Sequence, residues 1–293
     1  MRICSLLPSA TEIVAELGLI DSLVGVSEEC AWPPEVRSKP RVTAAKIESH
    51  SLSSAEIDRA VRDSIGDGQS LYTVDAELID ELRPDILITQ DLCTVCAVSS
   101  GDLASACPVG AEIISLDPGT ISEVADTVTL LGERFGAGEP AAAIVGEMWR
   151  KVDGVRAAVE GLPRPRVFVA EWTDPPFCAG HWVPEMVDAA GGVEVMGEPG
   201  KPSYSTTWDE ALAGDPELVV IAPCGFLADE AAARAAGLNL PCRAVAVDAD
   251  SYFSRPAPRL ADGVLQLGHL LHPDAVPDPG LAAIELQPVT TPR

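Results

Sequence analysis

Cysteine and histidine residues that directly follow apolar runs are the side chains with the widest chemical reach in this sequence. Cys30 follows the run Leu23–Val26, and Cys93 and Cys96 follow Ile86–Thr89. Cys178 and His181 follow Val167–Ala170, and Cys224 follows Leu218–Ala222. In an open α/β sheet a ligand lies beyond the carboxyl ends of the strands, so these positions converge if the runs are parallel strands. Thiolate and imidazole suit zinc, copper or iron, and any four of the six would complete a metal site. The plainer account is that cysteine is a common small buried residue, and one Cys-x-x-Cys pair without a second is not a zinc signature. Cys93-Thr94-Val95-Cys96 also admits a thioredoxin-like redox pair, but the surrounding chain lacks the rest of that layout.

Aromatic residues are few, five Trp, three Tyr and five Phe, yet they concentrate in the same exits. Trp32, Trp172, Phe177, Trp182, Tyr204, Trp208, Phe226, Tyr252 and Phe253 all fall in the expected loops and strand exits. A cleft lined with such rings suits a flat or bulky ligand, because aromatic faces bury a large area with little entropy loss. Packing between elements would account for any single one of them. Asp91 opens the Cys93 segment, and Arg255 and Arg259 precede the last helical pattern, where they could meet a ligand's polar periphery. A surface role or a salt bridge explains those arginines as well.

The elements that must position these residues alternate. A strand over Arg2–Leu6, a helix over Ala10–Leu17 and a strand over Leu23–Val26 open the chain, with Ser9 and Glu12 spaced as a capping box. Helices are expected over Ser53–Ile65 and Asp75–Leu82, and buried parallel strands over Ile86–Thr89 and Glu112–Leu116. From Ile121 to Glu160 the pattern is helical, broken at Gly136–Pro140. Alternation resumes with strands at Val167–Ala170, Leu218–Ala222 and Ala244–Val247 and a helix over Arg259–Leu271. This reading gives an α/β lobe over residues 1–118, a helical linker with a connecting helix over 119–164, a second α/β lobe over 165–273 and a mobile, proline-rich tail over 274–293.

Forty-five Asp and Glu against 20 Lys and Arg give a net charge of -25, which argues against nucleic acid and anionic membrane as partners. No run is apolar enough for membrane insertion. Met1-Arg2-Ile3-Cys4 enters an apolar strand without the features of an export signal, which predicts a cytoplasmic protein with reduced cysteines. Standard signatures of nucleophile elbows, phosphate loops and zinc proteases are missing, so the sequence favours binding over catalysis.

Several segments carry a resemblance. Leu6-Leu7-Pro8-Ser9-Ala10-Thr11-Glu12, Val24-Gly25-Val26-Ser27 with Pro33-Pro34, and Leu82-Arg83-Pro84-Asp85-Ile86-Leu87-Ile88 resemble the first lobe of the cobalamin and ferric-siderophore substrate-binding proteins of ABC importers. Pro175-Pro176-Phe177, Ala190-Gly191-Gly192 and Phe253-Ser254-Arg255-Pro256-Ala257-Pro258-Arg259-Leu260 resemble the second. Asp91–Cys96, Gly180–Glu185 and Ala222–Phe226 are similar to a branch without export signals that is called cobalamin-binding protein. The resemblance implies an α/β fold of two Rossmann-like lobes with parallel sheets, joined by a long helix of the periplasmic-binding-protein type. It also implies a corrinoid or related metal-chelate ligand held in the cleft, with Trp32, the Cys93 region, Phe177, Trp208 and Tyr252–Arg259 facing it. Cys93, Cys96, Cys178 or His181 would then reach the metal. Glu77 and Asp209 or Glu210 would lie at importer-docking positions, a partnership that requires export. The rival expectation is a metal-handling protein or enzyme that uses the Cys and His cluster with zinc or iron.

Overall fold

A computed structural model describes residues 1–67, 70–91 and 110–287. The chain divides into two compact units, Met1–Pro118 with Asp126–Ile144 and Gly119–Ala125 with Val145–Arg293. The helical stretch Ile121–Arg134 and Gly138–Ala158 is therefore shared out between the units.

The first unit is built on a parallel sheet in the order β2 (Leu23–Val26), β1 (Ile3–Ser5), β5 (Ile86–Thr89) and β6 (Glu112–Ser115). β1 and β5 are inner strands, and every residue in both is buried, including the polar Ser5 and Thr89 that end them. The segment expected as a second buried strand, Glu112–Leu116, is instead the outer strand of this sheet, with Glu112, Ile113 and Ser115 exposed. A separate antiparallel pair joins β3 (Thr43–Ala45) to β4 (Tyr72–Val74).

The first helix runs Pro8–Glu16, and the capping box expected from Ser9 and Glu12 does not form. Proline, with its φ already helical and no N–H to satisfy, starts the helix two residues earlier, so Ser9 and Glu12 lie inside it and are buried. The same Ser/Thr-x-x-Glu pattern does cap two other helices, Ser54–Gly66 through Ser53 and Glu56, and Trp208–Ala213 through Thr207 and Glu210.

The second unit has a sheet in the order β10 (Tyr204–Ser205), β8 (Pro176–Cys178), β7 (Arg166–Thr173), β11 (Leu218–Ile221), β12 (Arg243–Val247) and β13 (Ala283–Leu286). β9 (Val193–Glu194) pairs with the start of β7. β7, β11 and β12 are parallel, and β8, β10 and β13 add antiparallel flanks. Glu171, Trp172 and Thr173, read from the sequence as a strand exit, continue β7 and fold back on β8 through Asp174–Pro175.

Within the tail expected to be mobile, Ala283–Leu286 is a strand. Its two apolar positions alternate with short or charged ones, it pairs with Ala244–Val247, and Arg243 forms an ion pair with Glu285. Gln266 donates to the Ala282 carbonyl at 2.9 Å, and Leu286 packs on the core formed by Phe168, Val219 and Ile221. Ending the chain after Gly280 is expected to leave β12 as an open edge and to lower the stability of this unit by about 2 kcal/mol. Thermal melts of the full and shortened chains, with aggregation followed by light scattering, check this.

Candidate functional site

In the second unit three strand exits are tied to one another. Phe226, in the loop after β11, accepts hydrogen bonds at its carbonyl from Ala249 and Asp250, which follow β12. The Cys224 amide donates to the Glu171 carbonyl on β7 at 3.2 Å. Trp172, also on β7, lies with its ring centroid 5.9 Å from that of Phe226, tilted by 48°. The guanidinium carbon of Arg234 stands 3.7 Å from the Phe226 ring centre and 5.8 Å from that of Trp172. Phe226 is itself 3 % exposed, so these bonds and contacts place the half-buried Trp172 and Arg234 over a buried ring at the carboxyl end of the sheet, where α/β proteins bind ligands.

Beside it, Asp248 caps the short helix Ala249–Tyr252 by accepting from Ser251 N at 2.9 Å, and burial raises its carboxyl above the ordinary range. Arg259 lies 5.6 Å from the Tyr252 ring centre. Burial also raises the Tyr252 phenol, so its hydroxyl is kept as a neutral donor and acceptor. Arg255 is buried and donates from one nitrogen to both oxygens of Asp250, at 2.7 and 2.8 Å.

Other expected site residues have packing roles here. Trp182 is 5 % exposed and its indole N–H donates to the Phe253 carbonyl at 2.7 Å, while Phe253 is itself 2 % exposed. Both were expected to face a ligand, and both instead lie in the core, because an indole can be buried once its N–H has a carbonyl partner. Trp208 is half-buried, donates to the Thr173 carbonyl at 3.2 Å and meets the Phe168 ring edge-on. Phe177 is half-buried on β8 opposite Trp172. His181 takes up a left-handed φ of 52°, and burial lowers its pKa, which favours the neutral imidazole.

In the first unit, Trp32 is 41 % exposed on the loop after β2. Arg41 holds that loop by donating to the carbonyls of Ser27 and Cys30 at 2.6 and 2.7 Å. Thr43 donates to the Ser27 hydroxyl at 3.0 Å. Asp91 lies beyond β5, where it accepts from the Ser115 hydroxyl at 3.1 Å.

The shared thiolate site expected from the sequence is not assembled among the described residues, where no three His, Cys, Asp or Glu side chains gather to hold a metal ion. Cys30 is buried in the first unit with its sulfur 3.1 Å from the Thr11 hydroxyl. Cys178, His181 and Cys224 belong to the second. Cys178 is part of the core formed by Phe168, Ala170 and Ile221, and burial pushes its thiol up to about 12, so it is a protonated core residue rather than a thiolate ligand. Cys224 is half-buried. Cys93 and Cys96 lie outside the described residues.

Three functional candidates are absent from the ligand contacts expected from the sequence. Trp172 was counted as a loop aromatic, Phe226 as one ring among many, and Arg234 not at all, although it follows Phe226 by two helical turns.

The vitamin B12-binding protein of Vibrio cholerae serotype O1 is 25% identical to this chain over 277 residues, covering 91% of this chain and 87% of that protein. Among solved structures, a periplasmic heme-binding protein from Pseudomonas aeruginosa superposes with a TM-score of 0.69 at 22% identity, covering 98% of this chain and 95% of that one. The periplasmic vitamin B12 binding protein of Vibrio cholerae superposes with a TM-score of 0.65 at 23% identity, covering 92% of this chain and 96% of that one. These likenesses agree with the α/β architecture built up above. The profile of the periplasmic binding protein family matches residues 3–238, and this chain belongs to that family.

Proposed function

We propose that this protein binds a metal-centred tetrapyrrole without catalysis, a corrinoid of the vitamin B12 type before any other. The observation that carries the reading is the set of half-buried Trp172, Arg234, Tyr252 and Arg259, backed by the buried Phe226 ring, at the carboxyl ends of β7, β11 and β12. Rings with interleaved guanidinium groups match a flat, apolar macrocycle with polar side groups at its rim. The naming of relatives for vitamin B12 and for heme favours the same ligand class. Zinc or iron held by the protein itself draws no support from the described cysteines, which are buried or dispersed. An ABC importer belongs to this reading as a partner only if the chain is exported, which cell fractionation decides.

Titration of the reduced protein with cobalamin, cobinamide and haemin, followed by visible absorbance and calorimetry, is expected to give saturable one-to-one binding of at least one of them. A Cys93→Ser/Cys96→Ser variant titrated alongside tests whether a thiol reaches the metal, since only a ligating thiol would change the metal-sensitive absorbance bands. Failure of all three ligands to bind would sink the tetrapyrrole reading.

A further inference from the structure

Arg234 is the last residue of the helix Ala228–Arg234, and its guanidinium reaches back over Phe226. A carbon-to-centroid separation of 3.7 Å is van der Waals contact, so the group uses one face on the ring, with Trp172 at its side. Stacking of this kind consumes no donor. A guanidinium carries five N–H groups around its edge, and one further partner still leaves donors for a ligand. The stack fixes the direction in which that edge is presented, which a free arginine on a flexible stem would lose.

Two other observations place this cation at the binding end. Trp172 lies near the carboxyl end of β7 and Phe226 follows β11 directly, so both rings mark the end of the sheet at which ligands bind. The Phe226 carbonyl bonds to Ala249 and Asp250 couple the stack to the Asp248–Tyr252 turn and its neighbour Arg259. Partial burial also withdraws Arg234 from water, which strengthens its attraction for an anion that enters the same environment.

We propose that Arg234, braced by Phe226 and Trp172, is a specificity determinant that recognises an anionic group on the rim of the ligand. The inference rests on the tetrapyrrole reading above and narrows it to macrocycles that carry a phosphate or carboxylate. Two ligands supply that chemistry, cobalamin through the phosphodiester of its nucleotide tail and haem through its propionates. Cobinamide keeps the corrin ring and lacks both groups.

Arg234→Gln and Arg234→Lys variants are titrated with cobalamin, cobinamide and haemin beside the parent protein, with thermal melts to establish that each variant is folded. The glutamine variant is expected to bind cobalamin or haemin, whichever the parent binds, about tenfold or more weakly, and cobinamide within about twofold of the parent. The lysine variant is expected to fall between the two, since it keeps the charge and loses the planar stack. Which anionic ligand responds identifies the source of the group. Equal loss for all ligands would mean that Arg234 only supports the fold, and unchanged affinity for the anionic ligand would mean that it is not a contact. Either result, or a parent that binds cobinamide alone, overturns the assignment while leaving the tetrapyrrole reading intact. A parent that binds none of the three overturns both.

Discussion

The parent protein is expected to lose stability as pH rises from about 5 to about 8, and replacing Glu194 by glutamine is expected to abolish that loss. Glu194 sits on β9, where its carboxyl accepts the backbone N–H of Val169 at 3.2 Å and of Met196 at 3.4 Å. Burial outweighs those bonds and raises its pKa from 4.5 to about 8. The unfolded chain therefore releases this proton near 4.5 and the folded chain only near 8. Between those values the folded state holds the extra proton, so stability is fully present below the lower pKa and is lost as pH rises through the upper one. A shift of this size corresponds to about 5 kcal/mol. Urea unfolding at about pH 5 and about pH 8.5 should show parent and variant alike at the lower value and the variant the more stable by several kcal/mol at the higher. Profiles that stay parallel across the range would mean that this carboxyl titrates normally in the folded protein.

Gly180→Ala should be among the most damaging single substitutions in the second unit. A Cβ at this position would stand 2.5 Å from the Lys201 carbonyl oxygen and 2.6 Å from the Pro202 carbonyl carbon, and closer still to the Ser203 amide. All three are backbone atoms, so relief requires moving a chain segment and not a side chain. That segment accepts the His181 N–H at 2.6 Å and leads into β10, which pairs with Phe177 and Cys178. We expect a loss of about 3 kcal/mol or more in unfolding free energy. Gly154→Ala is the matched control, because nothing lies within 4 Å of its added carbon and it occupies an exposed position in the helix Gly138–Ala158. Removing a flexible residue there is expected to stabilise the protein by up to about 1 kcal/mol. Chemical denaturation of the two variants is expected to give changes of opposite sign, and similar small effects at both positions would mean that the 201–203 segment yields without cost.

The strands that organise both units are legible in the sequence because β11 and most of β1, β5, β7 and β12 are apolar runs, the mark of strands covered on both faces. β13 was harder to see because four alternating residues are a weak signal among prolines. Residue type also could not say which way a side chain points. Phe177 and Cys178 are neighbours on β8 and must face opposite sides, so their shared position after an apolar run did not make both ligand contacts. Trp182 and Phe253 were chosen as aromatic exits and are joined to each other inside the fold by an indole-to-carbonyl bond. Arg234 left no local motif, since its partner rings come from a different strand and a different loop.

The division of the chain bears on how the protein is synthesised. Gly119–Ala125 belongs to the second unit, yet Asp126–Ile144 returns to the first. The Ile121 amide donates to the Glu185 carboxylate at 2.7 Å, a partner that leaves the ribosome 64 residues later. A nascent chain that has just finished its first sheet must therefore keep a short stretch uncommitted while the first unit receives its last helical piece. At about 5–20 residues per second the wait for Glu185 lasts several seconds, far longer than a helix takes to form. No single cut separates the two units cleanly, and an intermediate halted near Ile144 would hold a finished first unit carrying an unpaired fragment of the second.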